Sequence, residues 1–170
     1  MKKFYLSKSS STVINTLKSL KEKGLIKDIQ NLSVQNARIE FSKIRSYFSY
    51  KEKIDVLIKK DFKIENIPVR YYRGKNKSKN EILPIMIYFH GGGWVLGNVE
   101  THDQVCSILV NKGKYDLISV EYSLAPEAIF PKAINESKKI LRSISKNKYG
   151  LKINNNKICL LYTSPSPRDG

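Results

Sequence analysis

Histidine, cysteine and tryptophan are scarce in this chain of 170 residues, which holds two, two and one of them. Two thiols, Cys106 and Cys159, make no disulfide framework, so a reducing, cytoplasmic compartment is expected. Long apolar runs are missing as well. None approaches the roughly 20 residues of a membrane span. After Met1-Lys-Lys, Lys8 and the serines interrupt the place where a signal peptide would carry its apolar stretch. Acidic residues are few, 15 against 31 basic ones, leaving a net charge of +16. Such an excess raises the question of nucleic acid or an anionic membrane as partner. Yet 25 of the 31 basic residues are lysines, scattered, with no more than two adjacent and no aromatic residues interleaved in a nucleic-acid module. The charge therefore reads as a solvated surface, with no nucleic-acid partner and no stable membrane anchoring expected. At 41% hydrophobic and 10% aromatic, the chain can form a globular domain with a sizeable core.

What is present centres on Pro84-Ile-Met-Ile-Tyr-Phe-His-Gly-Gly-Gly-Trp-Val-Leu-Gly97. An apolar run closed by punctuation has the pattern of a strand buried on both faces. Gly91, Gly92 and Gly93 let the backbone leave that strand in conformations a Cβ would forbid. A backbone without side chains can bring N–H groups against a ligand atom, as acyl-transfer enzymes do for an oxyanion. A glycine-rich turn without chemistry is the plain alternative.

Around this stretch the periodicity predicts a helix over 10–24, capped by Ser10 or Ser11, with Val13, Ile14, Leu17 and Leu20 on one face and Gly24 as its stop. A second helix starts at Ser33 and carries Val34, Ala37, Phe41, Ile44 and Phe48. Residues 56–64 and 67–73 alternate as strands, and 74–81 form a polar loop. A helix over 101–113, capped by Thr101, precedes a strand over 115–122. A further helix runs from Phe130 to Tyr149 with Ala133, Ile134, Ile140, Leu141 and Ile144 inward, and the next strand begins near Lys157-Ile158. Strands alternating with helices over short connections imply right-handed parallel crossovers in an α/β sheet.

Two motifs coincide in this frame. His90-Gly-Gly-Gly-Trp94 ends one strand and Glu121-Tyr-Ser-Leu-Ala-Pro-Glu127 ends the next. The pair resembles the hormone-sensitive-lipase-like esterases and lipases of the α/β-hydrolase superfamily, whose glycine loop is an oxyanion-hole element. Leu83-Pro, Gly97, Thr101-His-Asp and Phe130-Pro131 agree with it, and the likeness covers roughly residues 34–158. It implies an α/β-hydrolase fold truncated after about four strands, with residues 1–50 as a helical cap segment and 51–158 as the N-terminal part of the hydrolase domain. It further implies a carboxylic-ester hydrolase for small to medium acyl esters, with no metal or organic cofactor. Gly91 and Gly92 would be the oxyanion donors, His90 and Gly93 would shape the loop, and Trp94 would wall the substrate pocket. The 121–127 segment would brace the strand end. Ser123 stands where the family carries arginine, which puts a local salt bridge in doubt. His102 reads as a helix-start residue, not a base.

The family's nucleophile needs G-x-S-x-G, followed by an acid and a histidine. Ser164 falls where the nucleophile would align, but Tyr162 and Ser166 replace the flanking glycines, and Pro165 has no N–H to give. No histidine follows His102, so the catalytic serine, acid and histidine are all missing and the fragment is expected to be inactive. Residues 159–169 look like one reading frame of a transposase sequencing adapter, with a natural Ser/Pro-rich tail as the competing account. The strand over 85–89 would then lose its outer partners and expose an apolar edge. A non-catalytic relative, acting as a small-molecule receptor or interaction module, is the alternative function.

Overall fold

The computed structural model describes residues 8–162. Ser164 and its neighbours from 163 onward lie outside the described residues. The chain divides into two compact units, the first ending at Phe48 and the second beginning at Ser49.

In the first unit, α1 (Lys8–Glu22) is followed by a short 3-10 turn and α2 (Val34–Tyr47). α1 already includes Ser10 and Ser11, so neither caps it. Its face is shallow, for Val13 and Ile14 stay exposed. Its end follows the expected chemistry: Gly24 takes a left-handed φ of 66°. There the Gly24 N–H reaches Lys21 O and the Leu25 N–H reaches Leu20 O, both at 2.9 Å. This pair of bonds satisfies the last carbonyls of the helix. α2 starts where Ser33 Oγ accepts the Asn36 N–H at 3.4 Å. Buried Glu40 on α2 accepts the Lys27 N–H at 2.8 Å and so ties the inter-helix loop down.

The second unit is one mixed sheet of five strands: β1 (Ile58–Ile64), β2 (Ile67–Arg73), β3 (Leu83–Phe89), β4 (Asp116–Val120) and β5 (Ile153–Tyr162). Their spatial order is β1-β2-β4-β3-β5. β1, β2 and β4 pair antiparallel in succession, whereas β3 runs parallel to both β4 and β5. Glu65 and Asn66, both at positive φ, make the two-residue β1–β2 turn. α3 (Asp103–Lys112) and α4 (Lys132–Ser145) are the two crossover helices. One core holds Ile85, Ile87, Ile118, Val120, Ile140 and Ile144. The other holds Tyr72, Tyr88, Leu117, Cys106 and Val110. Residues alternate between the two along β3 and β4, as the pleat requires.

Four expectations change here. α4 spans Lys132–Ser145, shorter at both ends than 130–149, and Ile134 is 38% exposed beside an open cavity. α3 is entered through a 3-10 turn at Glu100–His102, and Thr101 does not act as a simple cap. Instead Asn98 Oδ1 accepts the Thr101 N–H at 2.7 Å and Thr101 Oγ1 accepts the Asn98 N–H at 2.9 Å, a reciprocal capping box. β5 begins at Ile153 and reaches Tyr162, with an irregularity opposite Pro84/Ile85. Residues 159–162 therefore pair with Met86–Phe89, so β3 lies inside the sheet and β5 is its edge.

Candidate active site

β3 and β4 are parallel neighbours, so their C-terminal ends open at the same edge of the sheet. This brings the segment after Phe89 against the segment after Val120. In open α/β sheets that edge is where ligands bind. His90 is fully buried there and Tyr122 nearly so. The Tyr122 hydroxyl donates to the His90 carbonyl at 2.5 Å, and the two rings stack at 4.4 Å with 16° between their planes. The Ala125 N–H donates to Trp94 O at 2.8 Å, and Glu121 Oε2 accepts the Val99 N–H at 2.6 Å. The 121–127 segment thus braces both ends of the glycine loop.

Three successive carbonyls of the loop are held. His90 O accepts from Tyr122, Gly91 O lies 3.0 Å from His90 Nδ1, and Gly92 O accepts the Val95 and Leu96 N–H groups at 3.2 and 2.9 Å. In a trans peptide the carbonyl and the following N–H point in opposite directions. The N–H groups of Gly91, Gly92 and Gly93 are therefore turned away from these partners. Among the described residues none of the three donates to an acceptor. The φ angles of Gly92 (137°), Gly93 (61°) and Gly97 (85°) make this path possible. Trp94 also sits at a positive φ of 59°, a conformation that costs a bulky residue about 1–2 kcal/mol. Unfavourable backbone of this kind clusters at ligand clamps and active sites.

Trp94 is 48% exposed and shares with Phe89, Tyr122, Leu141, Leu160 and Tyr162 an apolar cavity of about 280 Å³. Its indole lies 6.0 Å from the Tyr162 ring. Thus the structure brings His90, the three glycines and Trp94 to one place. Burial holds the His90 imidazole below its ordinary pKa, opposed by its bond to Gly91 O, and a carbonyl oxygen at 3.0 Å from Nδ1 suits the tautomer with its proton there. Nε2 is buried and has no hydrogen-bond partner among the described residues. His102 is buried at the start of α3, its Nδ1 3.0 Å from Thr101 Oγ1 and its ring 5.4 Å from that of His90. Burial pushes the Cys106 thiol up to about 12, which leaves it unreactive. Among the described residues, no group of His, Cys, Asp or Glu could hold a metal ion, and no helix is long and apolar enough to cross a membrane.

At Ser123, where serine put a local salt bridge in doubt, the structure has hydrogen bonds to α4. Buried Glu136 accepts the Ser123 N–H at 2.8 Å and its hydroxyl at 2.7 Å, with Lys132 Nζ 3.6 Å away. Glu136 belongs to no motif in the sequence. Its one sequence signal is a carboxylate at helical spacing from Ala133, Ile140 and Ile144 on the inward face.

Comparison with known proteins agrees with this geometry. A family model for the α/β-hydrolase fold matches residues 86–164. The chain is 34% identical over 133 residues to an α/β hydrolase of Acanthamoeba polyphaga mimivirus, covering 76% of this chain and 37% of the relative. It is 39% identical over 84 residues to a carboxylesterase of Mycobacterium tuberculosis, covering 49% of this chain and 26% of that enzyme. Among solved structures, an ester hydrolase from the Lake Arreo metagenome superposes with a TM-score of 0.81 at 27% identity, over 94% of this chain and 51% of its own. The chain thus spans about half or less of the length of each of these relatives. With the paired motifs, the sheet order and these likenesses in accord, the chain belongs to the α/β-hydrolase fold family, among its hormone-sensitive-lipase-like members.

Proposed function

We propose that these residues are part of a longer serine carboxylic-ester hydrolase that acts on small to medium acyl esters. A serine, activated by a histidine that an acid orients, attacks the ester carbonyl, and water resolves the acyl-enzyme. All three of those residues come from sequence outside this chain. The contribution of the present residues is the oxyanion cradle. Gly91 and Gly92 donate their N–H groups to the tetrahedral intermediate, each worth about 2.7–4 kcal/mol of transition-state stabilisation. His90 and Gly93 shape the loop, and Trp94 walls the pocket that receives the ester. Residues 1–50 are a cap segment, and residues 159–170 derive from library DNA. The enzyme is cytoplasmic and uses no metal or organic cofactor.

The observation that carries this reading is the run of three amides whose preceding carbonyls are all held, beside the apolar side chains of Phe89, Trp94, Tyr122 and Leu141. The names of the relatives, a carboxylesterase and an ester hydrolase among them, support the substrate class. Reading the source DNA past the codon for Lys157 tests it. A G-x-S-x-G elbow followed by an acid and a histidine is expected, with turnover of a short-chain nitrophenyl ester by the longer product and none by the 170-residue chain. A longer frame without the elbow would leave the non-catalytic receptor in its place. Turnover by the 170-residue chain would remove the fragment reading.

A further inference from the structure

Three glycines can adopt the loop's path, and for the same reason they can leave it, since nothing in glycine resists rotation of a peptide plane. Something outside the loop must hold it. We infer that Tyr122 is the positioning residue of the glycine loop. Its hydroxyl donates to His90 O at 2.5 Å, inside a site where its own exposure is 4%. Because His90 O and the Gly91 N–H belong to one trans peptide, fixing the carbonyl toward Tyr122 fixes the N–H away from it.

The same phenol acts on the next peptide through the imidazole. Tyr122 stacks on the His90 ring, and its oxygen also lies 3.4 Å from Nδ1. The ring held in this way keeps Nδ1–H on Gly91 O, and that bond turns the Gly92 N–H outward. One side chain therefore sets two successive amides, both proposed as oxyanion donors. His102 adds a second ring against His90, and Gly97 leaves room at its edge, where a Cβ would meet Nδ1 at 2.8 Å. Gly97 also lies against Gly91 O, which a Cβ would approach to 2.7 Å, but it has no side chain to donate, and His102 Nδ1 faces Thr101 Oγ1 and Asn98 O, so neither replaces the hydroxyl. The catalytic consequence rests on the oxyanion reading above, whereas the clamp itself does not.

The test uses the isotope-labelled 170-residue chain without substrate and compares it with Y122F and with Y72F. Tyr72 is an equally buried phenol whose hydroxyl donates to Asp103 at 2.9 Å, so Y72F controls for loss of a buried hydroxyl as such. In Y122F the Gly91 and Gly92 amide resonances and the His90 carbonyl carbon are expected to shift and broaden, while in Y72F they stay at wild-type positions. Unchanged Gly91 and Gly92 resonances in a folded Y122F would overturn the inference. In case Y122F does not fold, the unmodified chain carries the decision. In an equal mixture of H2O and D2O, the Tyr122 Cζ carbon should split into separate lines for the protonated and deuterated hydroxyl, because a buried hydroxyl held on His90 O exchanges slowly, and a single averaged line overturns the inference. A positive result alongside a longer protein that hydrolyses no ester would keep the clamp and remove the cradle, so the two readings fail separately.

Discussion

A Cβ placed on Gly92 would lie 2.0 Å from the carbonyl oxygen of Leu96. Backbone cannot yield as a side chain tip can, and the φ of 137° is closed to L residues in any case. At Gly93, one residue on, a Cβ would meet nothing within 4 Å, although φ is still 61°. The two neighbours should therefore respond differently. G93A is expected to lose about 1 kcal/mol, the cost of alanine in the left-handed region. G92A should lose at least about 2–3 kcal/mol, or displace the turn. Urea unfolding of the two variants beside wild type reads the difference, and equal losses would refute the loop path.

A second prediction concerns the opposite end of the sheet. Arg73 and Asp116 are both buried, with Nε 2.9 Å from Oδ1, and Tyr71 Oη donates to Asp116 at 2.6 Å. Nη2 also donates to Asp116 Oδ2, and the other three guanidinium protons go to the carbonyls of Ser78, Lys79 and Lys152, so Arg73 has no unmet donor. Removing one partner strands the other charge in the interior. R73M or D116N should each cost about 3–5 kcal/mol, whereas the double replacement should cost less than the sum. A double-mutant cycle by denaturant unfolding measures it.

Arg73 also shows where sequence reading stops. It was visible only as the last residue of an alternating strand, because its partner lies 43 positions away and no local pattern announces the pair. The glycine loop was legible for the opposite reason. Its requirements are local: an apolar run ending at His90, then residues without Cβ, then a matching Glu121–Glu127 segment. β5 lay between these cases. Register shifts from Asn154 opposite Pro84 to Ile158 opposite Ile85, so the intervening residues leave the ladder and the period-2 signal breaks. The polar run gives no strand signal, so the sequence points to a strand start near Lys157-Ile158, whereas β5 begins at Ile153. Helix ends slipped where side chains act in reciprocal pairs, as Asn98 and Thr101 do.

The third prediction follows from His90. An ordinary imidazole takes up a proton near 6.5, whereas burial holds folded His90 below that value. As pH falls past 6.5 the unfolded chain binds more protons than the native one. His90's contribution to stability is therefore complete above 6.5 and is lost as pH falls toward its depressed native value, at no more than about 1.4 kcal/mol per pH unit. Glu121 acts with the opposite sign. Burial raises its carboxyl, outweighing the bond from Val99, so its share is present below the ordinary carboxylate value and lost as pH rises through the native one. Unfolding midpoints at pH 7.5 and 5.5 should fall for wild type and change less for H90Q, measured in an E121Q background to silence the opposing group. An identical slope with and without His90 would count against a neutral, buried ring.

The last prediction turns on the residue that departs from the family pattern. Glu136 is 7% exposed and takes two bonds from Ser123, one from the backbone and one from the hydroxyl, with Lys132 at 3.6 Å. S123A removes only the hydroxyl bond to the carboxylate, a charge-assisted interaction worth about 1.5–3 kcal/mol. The Ser123 N–H and Lys132 still face the carboxylate, so the loss should fall at the lower end of that range. E136A leaves both Ser123 donors without their acceptor and should cost more than S123A. S123R tests whether serine here is a substitute or an independent solution. The serine position also borders the cavity between Trp94 and Pro131, which gives a longer side chain room without unpacking the core. An arginine can reach the same carboxylate with two N–H groups in a fixed fork, so S123R should match or exceed wild type in urea midpoint. If S123R instead falls below S123A, the site is built around the short hydroxyl, and the backbone between β4 and α4 has settled around it.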